Sequence, residues 1–171
     1  AVTGPDTKVL NLFAYTGGAS LAARSAGADT THVDSVRKVV DWGRRNMEAS
    51  GLDGIRWVVE DAATFVRREV KRGKTYHGIL LDPPAYGRGP DGEKWVLEEQ
   101  IDDLLRDCAT LLVPGGFLAL NLYSMGLSAV VAYTLIGQHF KRQPELLELA
   151  VADPHGKILP LGTVARLGAN H

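Results

Sequence analysis

Short runs rich in aliphatic and β-branched residues alternate along this chain with longer stretches of helical period, a rhythm that folds as βαβ units around a largely parallel sheet. Extended segments are expected at Val9 to Phe13, Thr30 to Val33, Ile55 to Val59, His77 to Leu81 and Phe117 to Leu122, each followed by a helix. In the helix after the second, Val36, Val39, Val40, Gly43 and Met47 share one face while Arg37, Lys38, Asp41, Arg44, Arg45 and Glu48 face away, and Ser50-Gly51 stops it. The same period returns in Leu97, Ile101, Leu104, Leu105, Cys108, Leu111 and Leu112. There Glu98, Glu99, Asp102 and Asp103 sit near the helix start, where the dipole favours acids, and Pro114-Gly115-Gly116 ends the helix. After Phe140 the pattern changes. Leu146 to Val151 and Ile158 to Leu167 are joined through Asp153-Pro154-His155-Gly156, too short for a crossover helix, so the two runs should pair antiparallel. The expectation is an α/β fold with helices on both faces of a mostly parallel sheet that closes in an antiparallel C-terminal hairpin.

A chain of 171 residues suits a single domain with a proper core. Cys108 is the only cysteine, which excludes an intrachain disulfide and a cysteine-built metal site; among leucines it reads as a packed thiol, and no metal is expected. No uncharged apolar run approaches the roughly 18 residues of a membrane span, and the N-terminus lacks a signal-peptide layout, so a cytoplasmic protein without a membrane partner is expected. A net charge of −1 gives no global basic field to draw in nucleic acid. The densest basic stretch, Arg67, Arg68, Lys71, Arg72 and Lys74, reads as a solvated helix C-terminus.

Four segments carry chemistry. Asn11-Leu12-Phe13-Ala14-Tyr15-Thr16-Gly17-Gly18-Ala19-Ser20 runs from a strand through a small-residue turn into a helix, where glycine lets backbone amides approach a ligand. Tyr15 and Ala22 break the three-glycine spacing of a dinucleotide fingerprint, so a nicotinamide or flavin cofactor is disfavoured. Asp34-Ser35 follows the second strand, where a carboxylate can accept from both ribose hydroxyls of a nucleoside; either residue could also merely cap a helix. Glu60-Asp61-Ala62 follows the third, with Asp61 as an acceptor for an adenine amino group or as a cap. Asp82-Pro83-Pro84-Ala85-Tyr86-Gly87-Arg88-Gly89 closes the fourth strand, and its prolines stiffen a ledge that fixes the directions of the Asp82 carboxylate and nearby carbonyls. Residues Pro83 to Lys94 read as one long loop, a length more often functional than idle. Turns at successive strand ends converge on one crevice, the place where open α/β sheets bind ligands.

In VLNLFAYTGGAS, HVDS with the later Arg45-Asn46, VVEDA and LDPPAYGRGP, the chain from about Val9 to Leu167 resembles the class I S-adenosylmethionine-dependent methyltransferases related to the bacterial large-subunit rRNA enzymes that make 5-methylcytosine or 7-methylguanine. The resemblance implies a Rossmann-like fold of seven strands. It also implies that Phe13, Tyr15, Thr16, Gly17, Gly18, Asp34, Ser35, Asp61, Ala62 and Asp82 bind S-adenosylmethionine. Asp82, Pro83, Pro84 and Tyr86 would form the catalytic ledge, with Tyr86 a stacking platform for the acceptor base and Arg88 and Lys94 contacts to phosphate. Two departures sharpen the expectation. Ala85 separates the second proline from the aromatic, which weakens methylation of an amino group. The segment Leu120-Asn121-Leu122-Tyr123-Ser124 holds no cysteine nucleophile for chemistry at cytosine C5, and Cys108 cannot replace one. The reading is therefore direct methyl transfer to a base of RNA, rRNA in particular, such as a guanine nitrogen. The alternatives are a methyltransferase for a protein or small molecule, and a non-catalytic S-adenosylmethionine-binding domain. Residues 1–171 are expected to be one catalytic domain, with a substrate-binding module N-terminal to it and outside this chain.

Overall fold

The computed structural model describes residues 4–123 and 128–168. Strands β1 (Lys8–Leu12), β2 (Asp29–Asp34), β3 (Arg56–Val59) and β4 (Tyr76–Leu81) are separated by helices α1 (Gly18–Ser25), α2 (Arg37–Ala49) and α3 (Ala62–Lys71). Beyond β4 come two short strands, β5 (Tyr86–Arg88) and β6 (Lys94–Val96), then α4 (Leu97–Leu111), β7 (Leu112–Leu122), α5 (Ala129–Phe140), β8 (Glu145–Ala152) and β9 (Ile158–Leu167).

The main sheet has seven strands in the order β3-β2-β1-β4-β7-β9-β8. β1 pairs parallel with both β2 and β4, and β4 parallel with β7; β9 runs antiparallel to β7 and to β8, as the short turn at Asp153 to Gly156 requires. The sheet is thus mostly parallel and closes in an antiparallel C-terminal hairpin, as the sequence led us to expect. The chain leaves β1 in one direction toward β3 and returns to the other side with β4, so a crevice opens between the C-terminal ends of β1 and β4.

Alternation along the strands assigns each face. Leu10 and Leu12 lie in register with Ile79 and Leu81, which lie in register with Leu118 and Leu120. This apolar layer is covered by Phe65 and Val66 of α3, Ile101, Leu104, Leu105 and Cys108 of α4, and Ala132 and Ile136 of α5. Cys108 is fully buried, and desolvation pushes its thiol well above the usual range, which keeps it inert. The opposite face is polar at its centre. Asn11 and His32 are in register on β1 and β2, and the Asn11 amide donates to Ser20 Oγ of α1 at 2.8 Å, which lies 3.0 Å from His32 Nδ1.

Three expectations are corrected. Residues 83–94 are not one featureless loop: β5 and β6 form an antiparallel hairpin in which Tyr86, Gly87 and Arg88 pair with Val96, Trp95 and Lys94. The turn-forming Pro90-Asp91-Gly92 at its tip closes two strands too short to announce themselves by alternation. Val36 is exposed rather than on a core face, because α2 starts only at Arg37 and Val36 precedes it in extended geometry. Helix α4 ends at Leu111, so Pro114-Gly115-Gly116 lies inside β7 rather than capping the helix.

The basic run on α3 is largely engaged at home. Arg68 pairs with Glu60, Arg72 with Glu69 at 3.4 Å, and Arg67 donates to Thr64 Oγ1.

Candidate active site

Beyond β1 the chain turns through two left-handed, non-glycine residues, Phe13 at φ +54° and Tyr15 at φ +47°. Each such conformation costs on the order of 1–3 kcal/mol and persists only where neighbours enforce it. Here the Ala14 N–H donates to the Val33 carbonyl at 3.1 Å and the Tyr15 N–H to Asp34 Oδ2 at 2.9 Å, tying the turn to the end of β2. Gly17 follows at φ +90°, a geometry that favours glycine, and its N–H closes the turn on the Ala14 carbonyl at 3.0 Å. The turn is also held from α2, where Asn46 Nδ2 donates to the Thr16 carbonyl at 3.0 Å. Gly43, on the same helix, lets it pack this close: a Cβ there would stand 2.7 Å from the Trp57 ring.

Asp34 does more than end a strand. Oδ2 holds Tyr15, and Oδ1 accepts from the Val36 N–H at 2.9 Å. A carboxylate offers about four lone-pair sites, so two further donors, such as a pair of ribose hydroxyls, can still be met. Asp61 caps α3, with Oδ1 accepting from the Thr64 N–H at 2.8 Å. Its capping role, anticipated as an alternative, is real; Oδ2 has no hydrogen-bond partner among the described residues and remains for a ligand donor.

At the end of β4, Asn121 Nδ2 donates to Asp82 Oδ1 at 2.8 Å, fixing the carboxylate from the neighbouring strand β7. Pro83 is buried under the ledge. Two of the ledge carbonyls are already used: that of Pro84 accepts from the Trp95 indole at 2.7 Å, and that of Ala85 from the Leu97 N–H at 3.0 Å. Asp82 itself is exposed and lines the cleft. Trp95 also packs on Phe13, ring centroids 4.8 Å apart, so one buried indole braces both the glycine turn and the ledge.

These parts meet in one crevice. A cleft of about 570 Å³ is lined by Phe13, Tyr15, Asp34, Ser35, Asp82, Pro84, Tyr86 and Arg88, all anticipated from the sequence, and by Val36, Val39, Asn121 and Tyr123, which were not. It adjoins a narrower depression where Asp61 and Ala62 join Phe13, Asp34 and Trp95. A third, of about 290 Å³, runs along Thr16, Gly17 and Gly18 to Asp82. Lys94 lines none of the three; it lies across the hairpin ladder from Arg88. Trp95, Asn121 and Tyr123 escaped sequence reasoning because Trp95 follows directly on the end of the expected loop, and Asn121 and Tyr123 lie within a segment read only for its lack of a cysteine. Their polar and aromatic character beside strand ends was the available signal.

The family described as S-adenosylmethionine-dependent methyltransferase matches residues 3–146. The chain belongs to this family. A solved S-adenosylmethionine-dependent methyltransferase from Agrobacterium tumefaciens superposes on 99% of the chain with TM-score 0.90 and 37% identity, the chain spanning 57% of that protein. Among curated relatives, the ribosomal RNA large subunit methyltransferase K/L of Syntrophotalea carbinolica is 40% identical over 114 residues, 64% of this chain. Ribosomal RNA large subunit methyltransferase I of Klebsiella pneumoniae is 34% identical over 84 residues, 47% of this chain. The chain spans only 15% and 21% of those two relatives.

The crevice of this methyltransferase fits S-adenosylmethionine. Three carboxylates, Asp34, Asp61 and Asp82, border connected depressions and favour a sulfonium cation. The open space at the Cβ position of Gly18, beside the N-terminal end of α1, leaves room for an anionic group on exposed amides. Among the described residues no helix is long and apolar enough to cross a membrane, and no group of three or more His, Cys, Asp or Glu could hold a metal ion.

Proposed function

We propose that this methyltransferase transfers a methyl group directly to a base of large-subunit rRNA, without a covalent enzyme intermediate. The observation that carries the reading is the continuity of the Asp82–Pro84 ledge and the exposed Tyr86 ring with the depressions around Gly17, Asp34 and Asp61. When bound, S-adenosylmethionine supplies an electrophilic methyl group on a sulfonium. In this reading Phe13, Tyr15, Thr16, Gly17 and Gly18 seat its methionine part, Asp34 and Ser35 its ribose, and Asp61 and Ala62 its adenine. Asp82, steadied by Asn121, orients the acceptor so that a ring-nitrogen lone pair faces the methyl carbon, and alignment supplies most of the acceleration. Tyr86 stacks the base, Arg88 meets a phosphate, and Lys94, across the ladder from Arg88, reaches the RNA from the second hairpin strand.

The only thiol lies buried in α4 and does not line the cleft, which supports direct transfer over attack by cysteine. The curated relatives named above act on rRNA, which supports the substrate class. With a net charge of −1 the domain has little general attraction for RNA, so the reading includes an RNA-gripping module outside residues 1–171.

The test is incubation with S-adenosylmethionine carrying a labelled methyl group and an unmodified large-subunit rRNA transcript, followed by mass spectrometry of the nucleosides. A methylated purine or pyrimidine nitrogen is expected. Label in 5-methylcytosine overturns the mechanism; label only in protein or small molecules overturns the substrate.

A further inference from the structure

Three of the chain's five tyrosines line the same cleft: Tyr15, Tyr86 and Tyr123. Tyr15 belongs to the glycine turn and is held there through its backbone by Asp34. The other two stand on the acceptor side, Tyr86 at the start of β5 and Tyr123 one residue past β7. We infer that Tyr123 is a substrate-contacting residue that, with Tyr86, gives the cleft two aromatic faces for one flat heterocycle above the Asp82–Asn121 pair. The inference rests on the RNA reading of the site and adds to it a residue and a mode of recognition.

Several observations converge on it. β7 lies beside β4, so the residue after β7 enters the crevice at the edge where Asp82 leaves β4. Tyr123 is 50% exposed and Tyr86 72%, and neither hydroxyl has a hydrogen-bond partner among the described residues. A large ring without a ring or hydrogen-bond partner among the described residues, partly open in a concave site, leaves apolar surface in water that a stacked base would cover. Every base presents a π-face, so two such rings supply affinity without reading sequence, leaving discrimination to the polar pair beneath. Asn121 forms that pair with Asp82, and its Oδ1 is buried without a partner, so the amide orientation is set by the carboxylate it donates to. Tyr123 also feels the Asp82 charge: desolvation first, and then Asp82, raise its phenol above the ordinary value, so it remains a neutral aromatic face at physiological pH.

The test compares Tyr123→Ala, Tyr123→Leu, Tyr123→Phe and, as a matched exposed tyrosine outside the cleft, Tyr133→Ala. Methyl transfer to the unmodified large-subunit rRNA transcript is measured alongside calorimetric binding of S-adenosylhomocysteine. Removing a stacked face should lower kcat/KM for the transcript between about fivefold and a hundredfold in the Ala variant. The Leu variant should recover little of this and the Phe variant most of it, while product binding stays within about twofold. Tyr133→Ala should leave transfer unchanged. Unaltered transfer in Tyr123→Ala overturns the inference while leaving the RNA reading intact. So does a Phe variant as poor as Ala, or a loss of S-adenosylhomocysteine affinity that accounts for the whole effect. The transfer assays use the full-length protein that carries this domain; if that protein, unsubstituted, transfers no methyl group to RNA, the RNA reading falls and the inference falls with it.

Discussion

His32 on β2 is fully buried against Ser20 of α1 and Trp57 of β3, and burial lowers its pKa from the ordinary 6.5 to about 4. Ser20 Oγ accepts from the Asn11 amide, and its own hydroxyl proton can then be donated to His32 Nδ1. That sequence puts the ring proton on Nε2, which has no partner and lies against the tilted Trp57 ring, 4.5 Å between centroids. Between pH 6.5 and 4 the unfolded chain binds a proton at this residue that the folded chain refuses, so stability is greatest above pH 6.5 and falls with pH through that window. From the two pKa values the loss is roughly 2 kcal/mol between pH 7 and 5 and about 3 kcal/mol by pH 4. The check is urea unfolding at pH 7, 6 and 5 for the unsubstituted chain and for His32→Asn, which keeps a polar partner for Ser20 but does not titrate. The difference between the two stabilities should shrink by about 2 kcal/mol from pH 7 to pH 5. Parallel curves would refute the argument. An NMR titration of the unsubstituted chain placing the His32 imidazole near 6.5 would refute it independently of whether the variant folds.

Three other outcomes follow from the site. Asn121→Ala frees the Asp82 carboxylate, and steady-state kinetics should show kcat lowered by roughly tenfold or more with S-adenosylmethionine binding changed much less, as expected of a residue that aligns the acceptor. Asp34→Asn turns one acceptor oxygen into a donor facing either the Tyr15 or the Val36 N–H; calorimetry should show S-adenosylhomocysteine affinity weakened by about 2 kcal/mol, the scale of a lost charge-assisted bond. Gly43→Ala drives a methyl group into the Trp57 ring, and thermal melts should report about 1–3 kcal/mol of lost stability, with weaker cofactor binding because the helix also carries Asn46 against the glycine turn.

How much of this was legible depended on the range of the interaction. The glycine turn, Asp34, Asp61 and Asp82 could be read in advance because each is defined by a strand end and the few residues after it. The parallel sheet dictates that such ends converge. The same local logic explains the misreadings. Val36 carried the right hydrophobicity for a core face, but the carboxylate of Asp34 captures its N–H and delays the helix by one residue. The β5–β6 hairpin has three residues in each strand and no alternation long enough to detect, and its position depends on Trp95 donating to Pro84.

The amino-acid order alone settled the α/β fold, the closing antiparallel hairpin and the acidic and glycine-rich turns, since these follow from side-chain period and backbone chemistry within a few residues. The pairing of Asn121 with Asp82 across 39 positions, the bracing of Phe13 by Trp95 and the entry of Tyr123 into the cleft were decided only in three dimensions. Each depends on which strands lie side by side and in what register. No local pattern encodes that; it emerges only when the whole sheet buries its apolar face.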